Sequence, residues 1–86
     1  MTAVYKYPLV IASMQTVELY SGASILDCQL QDNCIMMWCL VDPTRGKFKT
    51  TIYIFATGEP IDPWPLDFIA TVQRKGSVWH VFMEVR

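Results

Sequence analysis

Charge is scarce in this chain, histidine is almost absent, and no apolar run is long. Of its 86 residues 17% are charged, with seven Lys plus Arg against eight Asp plus Glu and a formal net charge of −1. A general nucleic-acid binder draws its affinity from clustered positive charge, so that class is excluded. The basic residues that do cluster, Arg45-Gly46-Lys47-Phe48-Lys49 and Arg74-Lys75, flank turns and read as solvation of loops. No stretch approaches the ~18 apolar residues of a helical membrane span. Near the N-terminus a single lysine precedes a short apolar stretch broken by Pro8 and Ser13, which does not resemble a secretory signal. The expectation is a soluble, intracellular protein with no membrane partner.

Other absences narrow the chemistry. The four glycines are scattered, so no Gly-rich phosphate loop exists. Cys28, Cys34 and Cys39 are odd in number, and Cys34 and Cys39, five apart, point to opposite faces of one strand. They cannot jointly grip a metal or easily share a disulfide. Cys28 and Cys39 fit a core, and all three are expected as reduced structural thiols. A metal site would need ligands from at least three separate elements around the one histidine, so neither metal nor cofactor is expected.

What the chain does have is apolar area. Its hydrophobic content of 52% lies above the usual range, although so small a domain has a high surface-to-volume ratio and should look more polar. The excess must fill a dense core or meet a partner. A homo-oligomer, with a dimer favoured, is the economical explanation.

The apolar run Cys34-Ile-Met-Met-Trp-Cys-Leu-Val41 follows Ser24-Ile-Leu-Asp-Cys-Gln-Leu-Gln31 with only Asp32-Asn33 between them. Two turn-forming residues between two strands predict a tight hairpin in which Gln31 faces Cys34 and Cys28 faces Met37. One face is then wholly apolar, with Leu26, Cys28, Leu30, Ile35, Met37 and Cys39. The other sets Asp27, Gln29 and Gln31 beside Met36, Trp38 and Leu40. A lone domain needs one buried face, so the apolar second strand implies a second covered surface.

Further strands are expected at Val4–Ile11, where Pro8 demands an edge or a bulge, at Gln15–Tyr20, and at Phe48–Thr57. The last of these sorts Phe48, Thr50, Ile52, Ile54 and Ala56 against Lys49, Thr51, Tyr53, Phe55 and Thr57. Gly58–Pro65 carries three prolines and should lie stiffly on the surface, pegged by Trp64 and Ile61. A final hairpin turns at Lys75-Gly76. That register pairs Val72 with Trp79, Ala70 with Val81 and Phe68 with Met83 as core, and Thr71 with His80 and Ile69 with Phe82 behind. No window shows helical periodicity. The whole chain, residues 1–86, reads as a single all-β domain, a small antiparallel sandwich or partly open barrel of about seven short strands.

His80 has no carboxylate placed beside it by local pairing, and a catalytic histidine needs a nucleophile or an orienting acid. The carboxylates lie mostly at turns and strand ends, so no catalytic residue is assigned. Trp38, Lys49, Tyr53, Phe55, His80 and Phe82 share a parity opposite to the expected core. Aromatics beside a cation suit a flat ligand or a partner's side chains. The same residues would equally form a second inner layer.

Tyr5-Lys-Tyr-Pro-Leu9, Gln15-Thr-Val-Glu-Leu19, Gly22-Ala-Ser-Ile-Leu26, Cys34 with Trp38-Cys-Leu-Val-Asp42, Gly58-Glu-Pro-Ile61, Phe68–Gln73 and Val78-Trp-His-Val-Phe82 cover most of the chain. Together they resemble a family of small uncharacterised proteins common in tailed-phage and prophage genomes. The chain departs from that pattern at Cys39, where alanine is expected, and at Ser24, where lysine is usual. The resemblance implies a viral accessory protein in the cytoplasm of an infected bacterium. By analogy such a protein antagonises a host process or host defence, by occluding a host protein or sequestering a small signalling ligand. A structural or morphogenesis component of the phage is the alternative, and an enzyme is a distant third.

Overall fold

The Asp32-Asn33 turn organises the first half of the molecule. In the computed structural model, which describes residues 1–85, both turn residues hold positive φ, 52° and 63°. This is the mirror-image turn whose twist matches a β-ribbon, and short polar side chains tolerate it. It joins β3 (Ser24–Gln31) to β4 (Cys34–Val41) with Gln31 opposite Cys34 and Cys28 opposite Met37, the expected register. β1 (Ala3–Leu9) pairs with the other side of β4, giving a three-stranded sheet in the order β1-β4-β3. Pro8 therefore lies on an edge strand, where a missing ladder donor is tolerated.

A second sheet has the order β2-β5-β7-β6, from β2 (Gln15–Tyr20), β5 (Lys47–Ala56), β6 (Leu66–Arg74) and β7 (Ser77–Glu84). β6 and β7 turn at Lys75-Gly76, with φ of 52° and 78°. The two antiparallel sheets face one another as a sandwich, so the barrel alternative does not form. Both contribute to one core: Leu9, Cys28, Ile35, Met37, Cys39 and Val41 from the first meet Leu19, Ile52, Ile54, Ala70, Val72 and Val81 from the second. At one flank the β1 and β2 edges are joined by Tyr5 and Tyr20, whose rings meet edge to face at 6.1 Å. At the other, β3 and β6 run close together.

Among the described residues Thr50 is the one buried polar residue, and Glu84 serves it. The Glu84 carboxylate accepts from Thr50 Oγ1 at 3.4 Å and from the Thr51 N–H at 3.1 Å, standing in for ladder partners at the end of β7. Gly22 holds φ 79°, which a side chain strains, and a Cβ there would also displace the Arg45 guanidinium.

Several expected core positions are corrected. The ladder slips between Ile25 and Asp27, so Leu26 is a bulged residue, and Ile25 takes the inward place opposite Cys39. Leu26 is consequently 54% exposed, and Leu30, near the turn on an edge strand, is also exposed. A second slip between Phe68 and Ala70 leaves Ile69 unpaired. Val72 still faces Trp79 and Ala70 still faces Val81, but beyond the bulge Phe68 faces Phe82, and Asp67 faces Met83. Phe68 thereby leaves the core and is 60% exposed. Trp79 packs against the core but is only half-buried, and its Nε1 is enclosed without a hydrogen-bond partner. Trp64 is not a peg, since it stands in solvent; Ile61 is half-buried.

Candidate functional site

The outer face of the four-stranded sheet is built on the β5–β7 pairing. Residues of β5 that point away from the core, Tyr53 and Phe55, face Phe82 and His80 of β7 in register. Tyr53 and Phe55 stack with centroids 6.2 Å apart and planes 5° apart, and Phe55 meets Phe82 at 6.1 Å. Phe82 in turn meets Phe68 edge to face at 5.6 Å. The result is a run of four rings across three strands. Phe55 is buried within it although it belongs to the outer face.

His80 is held at both ring nitrogens. Thr57 Oγ1 lies 2.8 Å from Nε2 and Thr71 Oγ1 lies 3.0 Å from Nδ1. One hydroxyl accepts from the ring N–H and the other donates to the bare nitrogen, whichever tautomer is present. The ring is thus a strut from β7 to β6 on one side and to the turn after β5 on the other. Thr71 was legible from the hairpin register, whereas Thr57 was not.

The proline-containing segment borders these rings. Glu59, Pro60, Asp62 and Pro63 on one side and Ser13 and Met14 on the other enclose a groove of ≈ 280 Å³ that Tyr53 and Phe55 also line. The segment is pinned at its start, where the Glu59 carboxylate accepts from the Ala56 N–H at 2.9 Å.

Two of the six sequence-predicted site residues are not part of this cluster. Lys49 lies four residues down β5 from Tyr53, about 13 Å away along the strand, and faces Glu18 of β2. Trp38 lies on β4, in the other sheet, and points away from the core, on the far side of the sandwich. The shared parity holds strand by strand, but the two sheets turn their outer faces in opposite directions. Phe68, the fourth ring, could be found only by recognising the Ile69 bulge.

Around Trp38 the outer face of the three-stranded sheet carries Met36, Trp38 and Leu40 along its central strand. Val4 and Pro8 flank them on β1. In register, Trp38 has Lys6 on one side and Asp27 on the other. Lys6 Nζ reaches across β4 to donate to Gln31 Oε1 at 2.9 Å, and Gln29 Nε2 donates to Asp27 at 2.7 Å.

The thiols are separated by burial. Cys28 and Cys39 lie in the core, and loss of hydration pushes them up to about 12 and about 11. Cys34 is half-buried, its Sγ near the carbonyl oxygens of Leu9 and Ile35. All three are free, and among the described residues no group of three or more His, Cys, Asp or Glu side chains is placed to hold a metal ion.

Residues 1–86 match the family described as a domain of unknown function, DUF7352. The chain belongs to this family. No curated protein and no solved structure matches it. Membership in DUF7352 thus comes with no named activity, and a functional reading rests on the two outer faces.

Proposed function

We propose that the protein is a phage accessory factor that acts by binding rather than catalysis, as a homodimer. It closes on itself through the outer face of the three-stranded sheet. Its ring-lined four-stranded face engages a host protein or a small signalling ligand in the bacterial cytoplasm, and so antagonises a host process or defence. The observation that carries this reading is the apolar strip Met36–Trp38–Leu40 on the outside of a finished sandwich, where the core has no use for it.

Symmetry supports the self-contact. A two-fold axis running along β4 would lay Lys6 of one copy over Asp27 of the other, because these residues flank Trp38 on opposite sides. Lys6 would exchange Gln31 for a charged partner, and the patch is self-complementary as an isologous interface requires. Three strands ~4.8 Å apart and seven residues long give a face of about 14 by 23 Å. The two facing patches amount to about 640 Å² of flat area, so flanking side chains must add to it for the contact to reach a standard interface. Support for binding on the opposite face comes from its rings, which supply area at low entropy cost, and from His80, whose ring is committed to two threonines.

The test is co-purification from infected bacteria on immobilised wild-type, Trp38→Glu and Tyr53→Asp proteins, with mass spectrometry of proteins and small molecules in the eluate. One stoichiometric partner, held by the wild type and lost with Tyr53→Asp, is the expected outcome. The same eluate from all three proteins contradicts the reading. A ladder of homopolymers from the purified protein would favour a morphogenesis component instead.

A further inference from the structure

The two β-bulges lie in different sheets, yet they converge on one place. Leu26 interrupts β3 and Ile69 interrupts β6, and these are the edge strands that run close together at one flank of the sandwich. Both bulged residues line a cleft of ≈ 200 Å³ that enters between the sheets, where Ile25, Phe48 and Met83 also line it. A bulge leaves its extra residue out of the ladder and re-aims the side chains beside it. Here the effect is to set Leu26 and Phe68 at the rim of the cleft, 54% and 60% exposed. The bulges exchange residues at the inward positions: Ile25 and Ile69 pack against the core, while Leu26 and Phe68 stand at the rim.

The lining has one charged member. Asp67, at the start of β6, is exposed at the mouth of the cleft, and no lysine, arginine or histidine lines it. Among the described residues the ion pair present is between the N-terminus and Asp42, so no cation is paired with Asp67 there. An apolar cavity of ~150 Å³ is known to hold a benzene ring. At ≈ 200 Å³ this cleft has room for one ring and a short chain.

We propose that the cleft is a ligand site for a small cationic amphiphile, a single ring or equivalent apolar body on a short chain ending in a protonated amine. The apolar body lies between Ile25, Phe48, Ile69 and Met83, the exposed Leu26 and Phe68 close over it, and the ammonium group meets Asp67. This goes beyond the proposed function: the cleft is a second site, at the β3–β6 flank, and its rim shares Phe68 with the ring-lined outer face. The cleft does not depend on the dimer.

Three probes of equal length and different charge test it: 4-phenylbutylamine, 4-phenylbutan-1-ol and 4-phenylbutanoate, titrated into ¹⁵N-labelled full-length protein. Saturable shifts are expected at the amides of residues 25–27 and 67–70, with the amine binding at least tenfold more tightly than the carboxylate. Asp67→Asn should bring the three probes to within about threefold of one another. Ile69→Trp, which fills the cleft, should abolish all three while the spectrum stays dispersed, and Leu26→Ser is a milder variant expected to weaken all three. No saturable shift, equal affinity for amine and carboxylate, or shifts confined to Tyr53 and Phe55 would overturn the assignment. So would dissociation of a wild-type dimer by Phe68→Ser, which would make the rim a self-contact. A monomeric wild type overturns the dimer reading but leaves the outcome of this titration unchanged.

Discussion

Ile25, Leu26 and Met37 belong to one hairpin, and truncating each to alanine separates a bulged ribbon from a regular one. Met37 is wholly buried on the central strand of its sheet, between Tyr7 and Cys28. Met→Ala at such a site removes the transfer energy of the side chain and leaves a cavity, ~2–5 kcal/mol in all. An 86-residue domain has about 4–13 kcal/mol of stability, and each kcal/mol is worth ~4–8 °C of melting temperature. Met37→Ala should therefore lower Tm by at least about 8 °C. Leu26 keeps less than half of its burial. Against ~1.5–3 kcal/mol for a fully buried leucine, Leu26→Ala should cost ~0.5–1 kcal/mol. Ile25, half-buried and packed on the core opposite Cys39, should fall between them. Urea unfolding at fixed protein concentration, followed by tryptophan fluorescence and far-ultraviolet dichroism, gives the three values. A loss of 2 kcal/mol or more for Leu26→Ala, with Ile25→Ala near neutral, would restore the regular alternation and remove the bulge. It would also take away one wall of the proposed ligand cleft.

Other expected outcomes are as direct. At pH 8 a thiol reagent should find Cys28 and Cys39 protected in the folded protein and all three cysteines reactive in denaturant; fast reaction of three thiols without denaturant would contradict the packing. Because burial raises both core thiols from about 9 in the unfolded chain to about 12 and about 11, their contribution to stability is complete below pH 9 and is lost as pH rises through that window. Cys28→Ala should flatten this alkaline loss in urea midpoints measured from pH 8 to 11, and an unchanged slope would show Cys28 to be solvated. His80→Ala removes two side-chain hydrogen bonds and should cost ~1–3 kcal/mol without changing the assembly mass; a neutral result would mean the Thr57–His80–Thr71 strut is not formed. Asn33→Ala replaces a side chain that tolerates φ 63° with one that does not and should cost up to ~1 kcal/mol, read from the same urea curves; an unchanged midpoint would contradict the turn conformation.

Local chemistry explains which parts of this fold were legible in the sequence. Asp32-Asn33 and Lys75-Gly76 fix their turns, and from each turn the period of two runs correctly until a bulge interrupts it. Neither bulge carries a mark. Leu26 and Ile69 are ordinary apolar residues in strands of mixed polarity, with no glycine to signal a break, so counting by twos carried Leu26 and Phe68 into a core that excludes them. Both bulges lie on the edges where β3 and β6 meet, strands that are distant in the chain. The candidate site failed to assemble as one for a related reason. Parity sorts side chains within a ladder, but Trp38 and the Tyr53–Phe55–Phe82 rings belong to different ladders. Once the two sheets face each other, their outer sides point apart. The pairing of β5 with β7 has no turn to announce it, and it is this pairing that gathers the rings around His80.

A dimer closed through the outer face of the three-stranded sheet is distinguished from a lone sandwich by its mass in solution. Light scattering on the purified protein at micromolar concentration should give twice the 9.9 kDa of one chain. Trp38→Glu should give the single-chain mass with the fold intact by dichroism, since Trp38 points away from the core. A wild-type mass of 9.9 kDa, or a Trp38→Glu protein that unfolds instead of dissociating, would contradict it.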